Sequence, residues 1–376
     1  MGVRKTLIVT NDFPPRQGGI QSFVHQLAIR QPPGSVAVYA SDYEGAAAFD
    51  AQQPFPVVRH PTGLLVPTPA ARQRVLTSFQ EYECTAVWFG AAAPLGLLAP
   101  ALRKAGAQRL VATTHGHEVA WAMLPAARQA LRRIGEACDV VTYLGEYTRS
   151  RLAGAFGPHA ALRQLTPGVD VETFHPGVDG SIVRKRYGLE NRPVIVCVSR
   201  LVKRKGQDVL IRALPAIRRA MPDATVLFVG TGPYRDELGE LARSEGVAED
   251  VVFAGGVAHD ELAGHYAAGD VFAMPCRTRR AGMDVEGLGI VYLEASAVGL
   301  PVLAGDSGGA PDAVLEGETG YVVDGRDVAA VAAKLITLLQ DRALRARLGA
   351  AGRAWVERDW RWEVLADHLT EMLQEN

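Results

Sequence analysis

The stretch that decides the fold runs from Met274 to Asp312 and reads MPCRTRRAGMDVEGLGIVYLEASAVGLPVLAGDSGGAPD. It predicts the end of an apolar strand at Met274, a polar loop, a helix from about Leu288 to Gly299, and a short strand at Pro301–Ala304. A strand, a loop and a helix in this order make one step of an open α/β fold. The unpaired N–H groups and the dipole at such a helix N-terminus favour a bound anion.

Two glutamates lie on this stretch, Glu286 just before the helix and Glu294 inside it. Eight residues of helix-like chain span ~12 Å, about the distance from a sugar across a diphosphate to a ribose. One carboxylate could therefore hold sugar hydroxyls and the other ribose hydroxyls, while Gly287 and Gly289 let the ligand approach the backbone. The alternative is that Glu286 only marks the start of the helix, where the helix dipole favours a negative charge, and that Glu294 lies on a solvated face of the helix. The apolar residues around Glu294 argue against a solvated face.

The rest of the chain alternates strands and helices, which predicts parallel sheets covered by helices on both faces. A length of 376 residues is enough for two domains. The predicted strands are Thr6–Thr10, Val36–Ala40, Val57–Arg59, Ala86–Phe89, Arg109–Thr113, Asp139–Tyr143, Ala161–Leu165, Val194–Ser199, Ala224–Val229, Asp250–Ala254, Val271–Met274, Pro301–Ala304 and Gly320–Val323. Between residues 167 and 192 the alternation lapses into Pro-Gly and Asp-Gly pairs, which indicates a linker.

Composition and charge limit the classes of partner. The net charge is −1, but residues 1–166 carry 16 Lys and Arg against 10 Asp and Glu, a net of +6, and the rest carries −7. A positive first half fits an anionic membrane surface or phospholipid head group. Nucleic acid fits less well, because the basic residues are not interleaved with aromatic ones in a binding motif. With no membrane-spanning run and no signal peptide, we expect a soluble intracellular protein.

The four cysteines lie far apart without a C-x-x-C pair, so neither a disulfide framework nor a zinc site is predicted. The nearest approach to a metal pattern is His115-Gly116-His117-Glu118, but two histidines are too few, and their spacing does not suit a zincin helix. This segment follows a predicted strand, and open α/β sheets bind ligands at the carboxyl ends of their strands.

Two further loops follow strands. Arg200 to Gly206 places four cations in six positions after a strand, and we interpret it as an anion site rather than a solvated basic turn. Gly18-Gly19 ends the loop after the first strand, where it allows close backbone approach as a helix begins. As a bare pair, those glycines could equally be structural. No G-x-G-x-x-G is present, which disfavours a nicotinamide dehydrogenase.

Apolar residues stand beside arginines in two places. Leu64 to Val66 precede Arg72 and Arg74, and Trp121, Met123 and Leu124 precede a helix with Arg128, Arg132 and Arg133. Such a pattern can mark a membrane-surface element. An ordinary core with a solvated face explains it equally well.

Together these segments resemble a known family. Glu286 and Glu294 are similar to the Glu-x7-Glu signature of retaining nucleotide-sugar glycosyltransferases with the GT-B fold. The resemblance is closest to the actinobacterial GDP-mannose-dependent phosphatidylinositol-monomannoside mannosyltransferases, and it extends over nearly the whole chain through TNDFPPRQGGIQSF, VWFGAAAPL, THGHEVAW, PGVDVETF and SRLVKRKGQD. One departure is Gly145, where such enzymes usually carry a serine that starts a helix.

The resemblance implies an α/β fold of two Rossmann-like domains facing each other across a cleft. It implies an acceptor-binding domain over residues 1–168, a linker over 169–192 and a nucleotide-sugar-binding domain over 193–359. A C-terminal helix over 360–376 would cross back to the first domain. The implied location is cytoplasmic, peripheral on the inner face of the cell membrane.

By the same resemblance, Gly18 and Gly19 face the donor's phosphate and sugar, and His115 reaches the transferred sugar. His117 and Glu118 are expected near the acceptor, as is Trp121. Arg72 and Arg74 belong to the expected acceptor or membrane surface.

The reaction expected is retaining transfer of mannose from GDP-mannose to a phosphatidylinositol mannoside through an α-1,6 bond. Arg200 and Lys205 would neutralise the diphosphate as the glycosidic bond breaks. Glu286 would hold the hexose, Glu294 the ribose, and the helix N-terminus at Leu288 the diphosphate, so that no metal or other cofactor is needed. The alternatives are another retaining hexosyltransferase, a GT-B-like sugar-nucleotide epimerase, and a nucleotide-sugar-binding regulator without activity.

Overall fold

The computed structural model describes residues 3–375, which divide into two compact units. The first unit contains the chain up to Gly168 together with the C-terminal segment from Trp362 onward. The second unit contains Val169–Arg361.

Within the described residues, the first unit is built on a parallel sheet of seven strands in the order β3-β2-β1-β4-β5-β6-β7. The strands are β1 Thr6–Thr10, β2 Val36–Ser41, β3 Val57–His60, β4 Ala86–Phe89, β5 Arg109–Thr113, β6 Val140–Tyr143 and β7 Ala161–Gln164. The helices are α1 Gly19–Ala28, α2 Ala46–Asp50, α3 Pro69–Glu81, α4 Ala99–Lys104, α5 Glu118–Met123, α6 Pro125–Ala137 and α7 Glu146–Phe156, and a 3₁₀ turn spans Leu95–Leu98.

The second unit repeats this architecture with a parallel sheet of six strands, in the order β10-β9-β8-β11-β12-β13 among the described residues. Its strands are β8 Val194–Val198, β9 Thr225–Val229, β10 Val251–Gly255, β11 Val271–Met274, β12 Val302–Gly305 and β13 Gly320–Val323. Its helices are α8 Ser181–Tyr187, α9 Gln207–Ala220, α10 Arg235–Ser244, α11 His259–Ala267, α12 Ile290–Val298, α13 Val328–Gln340 and α14 Arg342–Asp359. Short 3₁₀ turns span Lys203–Lys205, Ala248–Asp250, Arg280–Gly282 and Ala310–Ala313.

The central strands are apolar because both faces of each sheet are covered. In β1 every residue is buried, and Leu7 and Val9 pack into one hydrophobic cluster while Ile8 packs into the cluster on the opposite face. Strands buried on both faces read as continuous apolar runs, which explains why their positions could be predicted closely from the sequence.

The last helix, α15 Trp362–Gln374, belongs to the first unit. Its residues Leu365 and Leu369 join the cluster that contains Ile8 of the first sheet. The Arg109 guanidinium fixes the helix end by donating to the Met372 carbonyl oxygen at 2.7 Å. The predicted return of the C-terminal helix to the first unit is therefore observed, and the helix begins at Trp362 rather than at residue 360.

The linker prediction was wrong, because residues 169–192 belong to the second unit. They form α8, and Phe174 is buried in the second core. The side chain of Arg353 also donates to the Val171 carbonyl oxygen at 3.2 Å. The Pro-Gly and Asp-Gly pairs here mark turns within a packed segment.

Candidate functional site

The sheet order of the second unit explains where its charged loops meet. The central strand β8 has β9 on one side and β11 on the other, so the direction of winding reverses between β8 and β11. Open α/β sheets bind ligands outside the carboxyl ends of the strands at such a reversal. The segment 199–206, called here the basic turn, follows β8, and the loop that carries Glu286 follows β11.

Lys205 and Glu286 meet across this reversal. The Lys205 Nζ lies 2.7 Å from Glu286 Oε2, and the two side chains are only 10% and 8% exposed. The Nε of Arg204 is 3.8 Å from the same carboxylate oxygen. An ammonium has three donors, so the bond to Glu286 orients Lys205 and leaves donors for a phosphate oxygen. The structure thus brings together two of the four predicted catalytic residues in a direct ion pair that the sequence did not reveal.

The side chain of Arg200 is exposed and makes no hydrogen bond or ion pair with any residue in 3–375. It lines a cavity of about 480 Å³ at the ends of β8, β9 and β10. The glycine loop Gly230-Thr231-Gly232, which follows β9, forms another wall of this cavity. Its volume is within the range usual for sites that bind small molecules.

Glu294 lies in α12 and is partly buried. The fully buried Tyr266 of α11 donates its hydroxyl hydrogen to Glu294 Oε2 at 2.6 Å. Burial raises the pKa of the Glu294 carboxyl, whereas the hydrogen bond from Tyr266 and the nearby His259 act to lower this pKa. A carboxylate fixed through one oxygen can accept a ligand hydroxyl on the other. Glu294 is therefore a positioned group and not an idle surface charge.

The start of α12 differs from the prediction. The helix begins at Ile290, because Gly289 adopts a left-handed conformation with φ of 82°. Leu288 lies outside the helix with its side chain buried. Residues from Glu286 to Gly289 are consequently not helical, and the ~12 Å span that assumed eight helical residues does not apply. Gly287 precedes this turn and is half-buried.

In the first unit the corresponding loops follow β1, β4 and β5, which are neighbours in the sheet. His115 follows β5, and its Nε2 donates to the Gly90 carbonyl oxygen at 2.6 Å. A carbonyl oxygen can only accept, so Nε2 carries the proton and Nδ1 is the acceptor nitrogen of the neutral ring. Burial is the main cause that lowers the pKa of His115 to about 4. His115 is therefore a neutral hydrogen-bonding group at ordinary pH.

Glu118 is completely buried beneath the same loop. Its Oε2 accepts a hydrogen bond from the backbone N–H of His115 at 3.0 Å. Its Oε1 lies 3.4 Å from Nε2 of His117, whose side chain is 46% exposed. Burial raises the pKa of the Glu118 carboxyl. Glu118 therefore shapes the loop from below, and His117 is the group that a ligand can reach.

The two glycines before α1 differ in what surrounds them. A Cβ on Gly18 would lie 2.1 Å from Oε1 of Gln21, which is the end of a flexible side chain that can move aside. A Cβ on Gly19 would have no described heavy atom within 4 Å. The space beside Gly19 is open at the end of β1, which agrees with the predicted approach of a ligand.

The two predicted membrane patches have exposed apolar tips. Leu64 and Val66 are 63% and 43% exposed, while Leu65 between them is fully buried, so Leu65 was wrongly included. The side-chain amide of Asn11 holds this loop through two hydrogen bonds, since its nitrogen donates to the Leu65 carbonyl oxygen and its oxygen accepts from the Leu65 N–H. Arg72 and Arg74 on α3 are exposed.

The second patch lies on α5 and α6. Met123 and Leu124 are 56% and 61% exposed, and Trp121 is half-buried. Arg128 is exposed and donates to the Gly154 carbonyl oxygen at 3.2 Å. In the described part of the chain, no helix is both long and apolar enough to cross a membrane.

Sequence reasoning missed Tyr266 and the contribution of Arg204. Tyr266 reads as an ordinary core residue of α11, and nothing near it in the sequence points to Glu294. Arg204 was noted only as one of the four cations in the basic turn. Its 3.8 Å approach to Glu286 depends on the loop after β11.

Comparisons with known proteins agree with this geometry. The model of glycosyl transferases group 1 matches residues 181–355, and that of glycosyltransferase family 4 matches residues 17–173. The chain is 55% identical to the GDP-mannose-dependent alpha-(1-6)-phosphatidylinositol monomannoside mannosyltransferase of Mycolicibacterium smegmatis, over 98% of this chain and 97% of that protein. It is 50% identical to the GDP-mannose-dependent monoacylated alpha-(1-6)-phosphatidylinositol monomannoside mannosyltransferase of Corynebacterium glutamicum, over 99% of this chain and 98% of that protein.

Solved structures give the same fold. HepE of Anabaena in complex with UDP superposes with a TM-score of 0.80 at 21% identity, covering 98% of this chain and 99% of that one. The sucrose-phosphate synthase of Thermosynechococcus elongatus superposes with a TM-score of 0.75 at 21% identity, covering 98% of both chains. The predicted fold class, two Rossmann-like domains of the GT-B type, is confirmed.

Proposed function

The chain belongs to the family of GDP-mannose-dependent alpha-(1-6)-phosphatidylinositol monomannoside mannosyltransferases, and we propose that it catalyses the reaction which that name describes. The donor is GDP-mannose, the acceptor is a phosphatidylinositol mannoside, and the new bond is α-1,6. The observation that carries this proposal is the buried ion pair of Lys205 and Glu286 at the winding reversal of the second sheet, in a chain 55% identical to such an enzyme.

The second unit is proposed to bind the donor. Arg200 and Lys205 carry the positive charges that a departing diphosphate needs, and preorganised charge is usually the largest contribution to catalysis. Glu286, held by Lys205 at 2.7 Å, is proposed to accept hydrogen bonds from the hexose hydroxyls. Glu294, fixed by Tyr266, is proposed to accept those of the ribose. The backbone from Gly287 to Gly289 would then approach the diphosphate.

The first unit is proposed to bind the acceptor, and two of its loops carry residues that are proposed to contact the sugar donor. A neutral His115 suits a hydrogen bond to a sugar hydroxyl, because its Nδ1 accepts while Nε2 is held by Gly90. Gly19 offers open space for the donor, with Gly18 beside it. His117, supported from below by Glu118, is proposed to contact the acceptor.

The reaction is proposed to retain the anomeric configuration and to need no metal. Two cations of the basic turn can neutralise the diphosphate directly, which is the task that a divalent ion performs in other transferases. We propose same-face attack, because Glu286 and Glu294 are both assigned to hydroxyl groups of the donor and neither is assigned as a covalent nucleophile.

We also propose that the protein works at the inner face of the cell membrane, where the lipid acceptor lies. The exposed tips Leu64, Val66, Met123 and Leu124, with Arg72 and Arg74 close in sequence, suit the interface of an anionic bilayer. Nucleic acid is not a proposed partner.

The experiment incubates the protein with GDP-mannose and phosphatidylinositol monomannoside, with and without a metal chelator. Nuclear magnetic resonance of the product should show one additional mannose in an α-1,6 bond, formed at the same rate in both samples. Release of free mannose without a glycolipid product, or a β-linked product, would contradict the proposal.

A further inference from the structure

The loop between β11 and Glu286 contains a compact structure that the proposed reaction does not use. Residues 279–284, called here the 279–284 loop, close on themselves through two backbone hydrogen bonds. The Arg279 N–H donates to the Asp284 carbonyl oxygen at 2.9 Å, and the Asp284 N–H donates to that of Arg279 at 3.2 Å. At the tip, Arg280 has φ of 50°, a left-handed conformation that residues other than glycine seldom adopt. Such conformations are concentrated at ligand-binding and catalytic sites.

A cavity of about 400 Å³ lies between this loop and the basic turn. Its charged walls come from Lys203 and Arg204 on one side and from Arg279 and Arg280 on the other, and Tyr234 contributes an aromatic wall. None of these residues lines the 480 Å³ cavity beside Arg200. The two cavities therefore have no lining residue in common.

The cations of this cavity exceed the carboxylates that could neutralise them. Lys203 is paired with Glu237, since its Nζ is 2.7 Å from that carboxylate. Arg204 lies 3.9 Å from Asp284 and 3.8 Å from Glu286, and Arg279 lies 3.5 Å from Asp284. These distances are longer than good charge-assisted hydrogen bonds, which are ~2.7–2.9 Å. The side chain of Arg280 makes no hydrogen bond or ion pair with any residue within 3–375, while its carbonyl oxygen accepts from the Met283 N–H at 3.1 Å.

Each guanidinium offers five N–H donors in a planar fork, so the long pairs of Arg204 and Arg279, and the Arg280 side chain without a partner among residues 3–375, leave many donors unused. We infer that this cavity binds a phosphate ester, and that the guanidinium groups of Arg279, Arg280 and Arg204 hold it. A phosphate oxygen cluster matches the guanidinium fork and can take two hydrogen bonds from each arginine.

The occupant can be a free phosphate compound or a lipid head group, which share this chemistry. Two observations favour the head group. Met283, next to the arginines in the loop, is 68% exposed, which suits a ligand that continues into an apolar part. Arg204 lies 3.8 Å from Glu286, so an anion held here would be next to the proposed hexose site. That second point rests on the proposed function, in which the acceptor carries one phosphodiester.

The test measures binding of two probes by Arg280→Gln, by the double variant Arg279→Gln/Arg280→Gln, and by the matched control Arg219→Gln. Arg219 is an exposed arginine at the end of α9 in the same unit. The probes are inorganic phosphate, followed by calorimetry, and phosphatidylcholine vesicles with and without phosphatidylinositol, followed by sedimentation. Saturating GDP is present throughout to occupy Arg200 and Lys205.

We expect Arg280→Gln to weaken binding about tenfold, which corresponds to ~1.4 kcal/mol, and the double variant to weaken it further. The control should bind as the unmodified protein does. A loss seen only with phosphatidylinositol vesicles identifies the head group as the occupant, and a loss also seen with inorganic phosphate supports a general phosphate site.

Equal binding of both probes by the unmodified protein and the double variant would overturn the inference, as would no binding of either probe by the unmodified protein. The first-unit patches are unchanged in all variants, so they cannot produce a difference. Binding of GDP is measured beforehand in a separate calorimetric titration. Its absence would count against the proposed function and not against the phosphate site.

Discussion

Replacing Lys205 by methionine tests the ion pair at the centre of the site. The change keeps most of the aliphatic stem and removes the ammonium, which lies 2.7 Å from Glu286. Both side chains are at most 10% exposed, so Glu286 would keep a buried charge without its main partner. The variant should therefore lose stability in the second unit as well as activity.

The magnitude follows from distance and burial. At 2.7 Å and an effective dielectric constant of ~20, the attraction is about 6 kcal/mol before desolvation is subtracted. Removing one partner of a buried pair usually costs about 3–5 kcal/mol. Arg204 remains 3.8 Å from Glu286 and compensates in part, so we expect a loss of about 3 kcal/mol. For a unit of this size the melting temperature should fall by roughly 6–12 °C.

Scanning calorimetry measures this loss, because it can resolve separate transitions of the two units. Lys203→Met is the matched control. Its ammonium is also 2.7 Å from a carboxylate, that of Glu237, but the two side chains are 44% and 60% exposed. An exposed pair contributes little to stability, because solvent screens it. The double variant Lys205→Met/Glu286→Gln should regain at least about 2 kcal/mol, since it removes the orphaned charge.

Two outcomes would refute this reasoning. One is a loss for Lys205→Met no larger than that for Lys203→Met. The other is a double variant less stable than Lys205→Met alone. In the folded variant, kcat/KM should also fall by at least about tenfold, since one charge-assisted bond to the diphosphate contributes roughly 1.5–3 kcal/mol.

Three further predictions concern other parts of the chain. Burial lowers the pKa of His115 to about 4, so between pH 6.5 and 4 the unfolded chain binds a proton at His115 and the folded protein does not. The free energy of unfolding therefore falls as the pH falls through this window, and in His115→Gln, measured by urea unfolding, it should fall by up to about 3 kcal/mol less than in the unmodified protein. An unchanged pH profile would contradict this. Tyr266→Phe should raise KM for the donor about fivefold with kcat nearly unchanged, because Glu294 loses its fixing hydrogen bond; a fall in kcat alone would contradict it. Leu64→Ser should weaken sedimentation of the protein with anionic vesicles. The control Ile182→Ser, which replaces a similarly exposed residue of the second unit, should not, and equal effects of the two variants would argue against the patch at Leu64 and Val66.

The strands could be predicted because the sheets are buried on both faces. A continuous apolar run such as Val271–Met274 needs no tertiary information to be identified as a core strand. The linker was mispredicted for a related reason. Proline and glycine pairs between 167 and 192 interrupt the helix and strand patterns, whereas burial of Phe174 depends on contacts with residues far along the chain.

The sequence suggests individual candidate residues, but it does not show the contacts between them. The loops after β8 and β11 are separated by more than 70 residues, and only the strand order places Lys205 beside Glu286. Tyr266 and Glu294 come together in the same way through α11 and α12. The helix start at Ile290 was missed because the left-handed turn at Gly289 delays it, and the sequence shows a glycine there without showing its φ.

The most direct measurement offers GDP-mannose, UDP-glucose and UDP-N-acetylglucosamine in competition, each with a distinguishable isotope, with phosphatidylinositol monomannoside as the acceptor. Mass spectrometry of the lipid product identifies the hexose that was transferred. We expect a dimannoside formed from GDP-mannose alone. Preferential transfer from either UDP-sugar would contradict the proposed donor and leave only the wider family of retaining hexosyltransferases.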